Sequence, residues 1–251
     1  MCDGSARSAS AVYLLREPAW PGFAGLPGPA LVVLSVVFLL GMVLTADAHA
    51  DAVRLGAKVA LNVGWFSGSD WDDFLDFLRS DPDITNVSND TRIGFIGGVF
   101  AEVPLGPTLA FQPELLIGSI GGALSFRDQF FGDSVEVTQR ATVLKLPLLL
   151  KPKVPASEHG SVYALLGPAP AVLLGDVKAK VRANGFSDEA SAAPDNRFVF
   201  SATFGAGYEH RFDTGAINLE LRYNRTFSDI ADGDNTRINS INIYAGWGFD
   251  L

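Results

Sequence analysis

Cysteine is almost missing: the only one in 251 residues is Cys2. Disulfides, a thiol nucleophile and a cysteine-built metal site are thereby excluded from the body of the chain. Charge is also low, at 19% of residues, against about 25% in ordinary soluble domains. The net charge is -9 and no basic stripe stands out, which excludes a nucleic-acid partner. Beyond residue 50 no apolar run could cross a membrane as a helix, and no long helical period appears. What the chain does have is 48% hydrophobic residues, 26 glycines and 18 phenylalanines.

The first fifty residues read as a segment of their own. Ala30 to Leu44 is an uncharged apolar run, shorter than the ~20 residues of a spanning helix, and "TADAHA" follows it. Ala46, Ala48 and Ala50 give the A-x-A pattern of a signal-peptidase site, with cleavage after Ala48 or Ala50. Arg7 and Arg16 supply the positive region upstream. The alternative is an N-terminal membrane anchor. Cys2 precedes the apolar run and so is not placed like a lipoprotein cysteine. The expected organisation is a signal peptide and leader over residues 1–50 and one exported, acidic domain over 51–251.

Past Ala50 the chain shows eight segments of alternating apolar and polar residues, the pattern of strands with one greasy face. They are "RLGAKVALNVGW", "TRIGFIGGVFAEV", "TLAFQPELLIG", "EVTQRATVLKLPLLLK", "SVYALLGPAPAVLLG", "RFVFSATFGAGYEHR", "AINLELRYNRTF" and the terminal "SINIYAGWGFDL". Short turns such as "PLGP" and "FDTG" alternate with long polar connections at residues 67–90, 119–135, 176–196 and 228–235, which read as loops. Short turns at one end and long loops at the other predict an all-β, eight-stranded antiparallel up-and-down transmembrane β-barrel after a cleaved signal peptide.

Alternation alone leaves two solvents open, because a soluble lipocalin-like barrel would put the apolar face inside. The seventh segment separates them. Asn218, Glu220, Arg222 and Asn224 share one face, opposite Ile217, Leu219, Leu221 and Tyr223. A lipid-facing Arg near the midplane costs about 2–4 kcal/mol, so in a membrane the polar set points inward. There Lys58, Arg92, Glu114, Lys145, Glu209, Glu220 and Arg222 fall on one side and form an expected lumenal polar network. Glycines concentrated on that inner face suit a crowded interior. Aromatic residues near the segment ends (Trp65, Tyr208, Tyr223, Trp247, Phe249) stand where girdles belong. The terminal segment reads as the closing strand, with Ile241, Ile243, Trp247, Phe249 and Leu251 facing lipid. Pro113, Pro147, Pro168 and Pro170 interrupt strands and call for bulges or strand ends. The fifth segment is apolar on both faces, so inside and outside stay unassigned there.

"FQPELLIG", "TVLKLPLLLKPKV" and "YALLGPAPAVLL" resemble the third to fifth strands of the PorT-like outer-membrane beta-barrel family. With "GAKVALNVGWFSG" and the aromatic closing strand, the likeness covers most of residues 53–251. The resemblance implies an eight-stranded bacterial outer-membrane barrel and says little about activity. One departure is that Leu251 is last and Phe249 two back, where assembly signals commonly end in an aromatic residue; the phase is kept.

No catalytic constellation is evident. Of the three histidines, His49 sits at the leader boundary, His159 in a turn and His210 at the end of the sixth segment, without a serine and acid set. No cofactor or metal is expected. Asp70, Asp72, Asp73, Asp76, Asp81 and Asp83 cluster in the first loop, and "DGDN" follows at 232–235. Calcium takes such oxygens, but the spacing matches no EF-hand loop, and a solvated acidic loop is the simpler reading. Trp71, Phe74, Leu75 and Leu78 recur at helical spacing after Ser69, an expected N-cap, and predict a short helix over the barrel mouth.

The expected function is a non-enzymatic, structural or interaction-bearing bacterial outer-membrane barrel with a side-chain-filled lumen. Its expected partners are outer-membrane lipid, the barrel-assembly machinery through the C-terminal strand, and a ligand or protein at the extracellular loops. The alternatives are a narrow small-solute channel or a soluble exported barrel binding an apolar ligand.

Overall fold

The computed structural model describes residues 53–129, 133–183, 186–194, 196–228 and 235–251. The leader, with the Ala48 and Ala50 cleavage positions, and most of the "DGDN" stretch lie outside the described residues.

The alternating segments fold as strands that pair antiparallel with their neighbours. These are β1 (Arg54–Ser67), β2 (Ile84–Asp90), β3 (Arg92–Gly106), β4 (Leu109–Asp128), β5 (Asp133–Lys145), β6 (Leu148–Pro155), β7 (Gly160–Ala183), β8 (Phe186–Ala192), β9 (Phe198–Phe212), β10 (Gly215–Thr226) and β11 (Arg237–Asp250). One helix, α1 (Ser69–Ser80), follows β1. Around the barrel the order is β1, β3, β4, then β5 continued by β6, then β7, β9, β10 and β11. That makes eight staves. The circle closes between β11 and β1, paired without a break from Arg54↔Asp250 to Ser67↔Arg237, so no stave is left with an open edge.

Period-two burial follows from the closure. On β10, Asn218, Glu220, Arg222 and Asn224 are buried, while Leu219 and Leu221 are 56% and 57% exposed. On β11, Ile241, Ile243 and Phe249 are exposed, as is Leu251 just past its end, and Trp247 is half-buried. The apolar face is therefore outside and the polar face inside, the reverse of a soluble barrel. Aromatic pairs ring both ends: Trp65 stacks on Tyr223 at 6.2 Å, and at the short-turn end Phe212 stacks on Trp247 at 5.7 Å. The fifth segment resolves in the same way, with Tyr163, Leu165, Ala169, Ala171 and Leu173 buried inside, and Val162, Leu166 and Leu174 outside.

The prolines gather in one patch. Pro147 occupies the two-residue break between β5 and β6, where its carbonyl accepts from Glu114 N–H at 2.9 Å. Pro113 pairs opposite Leu148, and the Pro170 carbonyl accepts from Leu146 N–H at 2.8 Å. Pro168 and Pro170 lie inside β7 rather than at a strand end. These four missing N–H donors thus lie on the adjoining staves from β4 to β7.

Three of the four stretches read as loops contain regular structure. The strand β7 is 24 residues long, about 80 Å at 3.3 Å per residue, whereas crossing a bilayer takes about 9–11 residues. Its far half pairs with β5 and β8, and the end of β4 pairs with β2 and β5. A five-stranded extension (β2, β4, β5, β7, β8) therefore stands beyond the barrel at the long-loop end. The alternation continues through it as Val177, Ala179 and Val181 against Lys178, Lys180 and Arg182, but the outward face has become charged. An apolar outer face is the mark of a stave in lipid, and a strand that has left the lipid no longer carries it.

The short helix sits at that mouth. Its cap is Gly68, not Ser69, which is the first helical residue. At Gly68 φ is +125°, and a Cβ there would lie 1.7 Å from the Asn235 carbonyl oxygen, so only glycine makes this turn. Leu75 and Leu78 pack against Leu124, flanked by Trp71 and Phe74. Asp70 and Asp72 in the first turn and Arg79 in the last complement the helix dipole.

Candidate functional site

The chemically unusual part of the molecule is its interior. Staves β1, β4 and β10 each turn alternate side chains inward, and at one level they deliver Lys58, Glu114, Glu220 and Arg222. Lys58 Nζ donates to Glu114 Oε1 at 2.8 Å and to Glu220 Oε1 at 3.1 Å. Arg222 grips Glu114 with both terminal nitrogens, each at 2.7 Å, and also pairs with Glu220. Gln112 Nε2 and Tyr163 Oη donate to Glu114 and Glu220 at 2.6 and 3.0 Å. The four charged side chains are 0–1% exposed. Aromatic faces pack over the cations: Phe100 lies 4.5 Å from Lys58 Nζ, and Tyr244 lies 4.4 Å from the Arg222 guanidinium.

Inner-face glycines make room for these rings. A Cβ on Gly207 would lie 2.5 Å from Tyr163 Cζ, and one on Gly56 would lie 2.4 Å from the Phe100 ring. The ring of Tyr163 thus reaches Glu220 across a surface that any larger residue would block.

A second ionic layer lies toward the short-turn end. Lys151 Nζ donates to Glu102 Oε2 at 2.6 Å and Glu209 Oε2 at 3.0 Å, and Lys153 pairs with Glu102. Arg54 reaches Glu209 at 2.9 Å and Asp250 at 2.7 Å, tying the first strand to the last across their seam. On the other side of the central layer, amides and hydroxyls continue: Asn62 Nδ2 donates to Asn242 Oδ1 at 2.5 Å, and Thr203 Oγ1 to Asn224 Oδ1 at 2.7 Å. Facing them are the apolar side chains Ile96, Leu116, Ile120, Ala141, Val143 and Leu173. Asn62 Oδ1, Gln112 Oε1, Asn218 Oδ1 and Arg222 Nε are buried without a protein partner among the described residues.

Of the network expected from sequence, Lys58, Glu114, Glu220 and Arg222 meet directly, and Glu209 belongs to the second layer. Two positions stand apart. Arg92 is half-buried at the mouth and donates to Ser119 Oγ at 2.9 Å, because it begins β3 beyond the ionic layers. Lys145 is buried, 6% exposed, and reaches no carboxylate. Sequence reading missed Arg54, Glu102, Lys151 and Lys153. Their signal was present, since Glu102 continues the inward phase of Phe100 and Lys151 that of Leu149, but they stood at segment ends where alternation was not followed.

A buried charge is costly unless paired and hydrogen-bonded, and here Arg54, Lys58, Lys151, Lys153 and Arg222 interlock with Glu102, Glu114, Glu209, Glu220 and Asp250. Such an arrangement ties staves to one another across the lumen, and among the described residues it sets no nucleophile next to a base. The rings of His159 and His210 lie 6.3 Å apart, with Phe212 against His210. Neither ring hydrogen-bonds a serine or an acid among the described residues. Among the same residues no three His, Cys, Asp or Glu side chains gather to hold a metal ion.

Comparison with known proteins agrees with this architecture. The family model described as "Outer membrane protein beta-barrel domain" matches residues 46–232. Solved structures similar to the chain include Ail, the attachment invasion locus protein of Yersinia pestis, in complex with sucrose octasulfate: identity 14%, coverage 79% of this chain and 99% of that one, TM-score 0.35. Neisserial surface protein A gives 10% identity, coverage of 78% and 97%, and TM-score 0.37. OprG from Pseudomonas aeruginosa gives 11%, coverage of 81% and 98%, and TM-score 0.37. No curated protein matches the sequence. At these identities no ligand or activity carries over.

Proposed function

This chain belongs to the outer membrane protein beta-barrel domain family and resides in the bacterial outer membrane, and from that premise we propose that it is a non-enzymatic, non-conducting barrel that presents a recognition surface outside the cell. The observation that carries this reading is the central ionic layer. Lys58, Glu114, Glu220 and Arg222 lie in the bore with side chains 0–1% exposed, which supports a closed bore at that level. An eight-stranded barrel is just wide enough for side chains to fill.

Recognition then falls to the extension and α1, at the end opposite the short turns, which in bacterial outer-membrane barrels are periplasmic. A structure that only anchored the protein would have no use for ten or more residues of β7 beyond the bilayer. Within the wider family the PorT-like branch fits "FQPELLIG" and "TVLKLPLLLKPKV". The column Ile241, Ile243, Trp247, Phe249 and Leu251 would contact lipid, and β11 would present the terminal signal to the barrel-assembly machinery.

The test is planar-bilayer conductance of the refolded full-length protein. The filled bore should pass no steady current in either polarity. A stable single-channel current would show that the ionic layer yields to water, and a small-solute channel would replace this reading.

A further inference from the structure

The short-turn end of the lumen holds a cavity of about 100 Å³. Its wall includes Arg54, Glu102, Lys153, Arg211 and Asp250, and the β3–β4 turn closes one side through Pro104 and Pro107. The five charged residues come from β1, β3, β6, β9 and β11, on both sides of the bore. Each keeps the inward phase of its strand, as Arg211 follows Glu209 and Lys153 follows Lys151 at alternate positions.

Cations are in excess there. Arg54, Lys151, Lys153 and Arg211 share Glu102, Glu209 and Asp250, so four positive charges meet three carboxylates. Donors are in excess as well. Arg54 gives Nε–H to Asp250 Oδ1 at 2.7 Å, but its Nη1, 2.9 Å from Glu209 Oε1, makes no hydrogen bond. Arg211 reaches Glu209 Oε1 only through Nε, at 3.4 Å, and its side chain is 53% exposed. The terminal nitrogens of Arg211 donate no hydrogen bond among the described residues.

We propose that this cavity binds a small oxyanion, a carboxylate or phosphate group, with Arg211 and Lys153 as its accessible cations and buried Arg54 behind them. A guanidinium is a planar fork of donors that matches two oxygens of either group. The carboxylates of the wall do not fill this role, since Glu102 is held by Lys151 and Lys153 and Asp250 by Arg54. The volume holds several water-sized particles and falls below the ~300 Å³ of an ordinary organic-ligand pocket. It therefore suits a single anionic group. The layer in which Lys151 joins Glu102 to Glu209 forms the floor, so the opening lies toward the short turns, the periplasmic end of a bacterial barrel. Inward placement keeps the site off the lipid face, and the group it takes belongs to a periplasmic solute.

The cavity and the extension stand at opposite ends of the barrel, so this test is separate from the bilayer measurement. The full-length protein in non-ionic detergent micelles is titrated by calorimetry with sodium acetate and, separately, with sodium phosphate. Sodium chloride keeps the ionic strength constant. One saturable site is expected for at least one of the two salts. Saturation by acetate alone identifies a carboxylate solute, by phosphate alone a phosphate solute, and by both a general oxyanion site. R211M should weaken binding about tenfold, the loss of one charge-assisted hydrogen bond; R211Q serves if R211M does not fold. D250N removes a negative charge and frees Arg54 Nε, so it should tighten binding severalfold. No saturable heat from either salt, binding unchanged by the Arg211 variant, or weaker binding by D250N overturns the proposal.

Discussion

Arg222 on β10 holds both carboxylate oxygens of Glu114 on β4, each at 2.7 Å, across the bore and 108 residues away in sequence. These two strands are not neighbours in the sheet. The pair is therefore a cross-strut, and it bears on stability in a way that backbone pairing does not.

Removing one end of the strut should be worse than removing both. E114A leaves Arg222 and Lys58 facing a single carboxylate and should lower unfolding stability by about 3–5 kcal/mol in urea titrations in lipid vesicles. The double variant E114L/R222M exchanges the pair for apolar volume and should recover most of that loss. A double variant that is additive would mean the pair is not coupled.

Depth should grade the cost of charge on the outer face. L221R, at the middle of β10 and now 57% exposed to lipid, should cost about 2–4 kcal/mol, while F212R, in the end girdle, should cost about 0–1. Equal costs at both positions in the same vesicle assay would place the membrane wrongly along the staves.

The extension should be separable from the barrel. Replacing residues 176–196 by a short glycine-containing turn removes the β7–β8 hairpin but none of the lumenal ion pairs. Unboiled samples on SDS gels should still migrate differently from boiled ones. Loss of that shift would show that the barrel depends on its extension.

Helix α1 should behave as a local unit. Leu75 is 3% exposed in a small cluster with Leu78 and Leu124. L75A should cost about 2–5 kcal/mol locally, read as faster hydrogen exchange confined to residues 69–90. Heat modifiability should be unchanged.

Much of this was legible in advance for a simple reason. A stave in a membrane must be apolar on one side and paired on both edges, so the period of two in β1, β9, β10 and β11 carries both the strand and its orientation. The inward positions of Lys58, Glu114, Glu220 and Arg222 follow from that parity. Where parity carried no contrast, as in "SVYALLGPAPAVLL", inside and outside stayed open until the neighbouring staves placed Tyr163 and Leu165 within. Strands β2 and β8 were missed because their outward residues are polar, which in a sequence looks the same as a loop. Gly68 was missed as the cap because the clash that demands glycine comes from Asn235, far along the chain.

The sequence by itself determined the class of the molecule: an all-β outer-membrane barrel with a greasy face and a polar face on most staves. Those properties are local, set by residue type and alternation. Which charges meet was decided only by the closed structure, because strand stagger settles the level at which each inward side chain arrives. By that rule Glu114 receives two cations and Lys145, on the same inner face, receives no carboxylate.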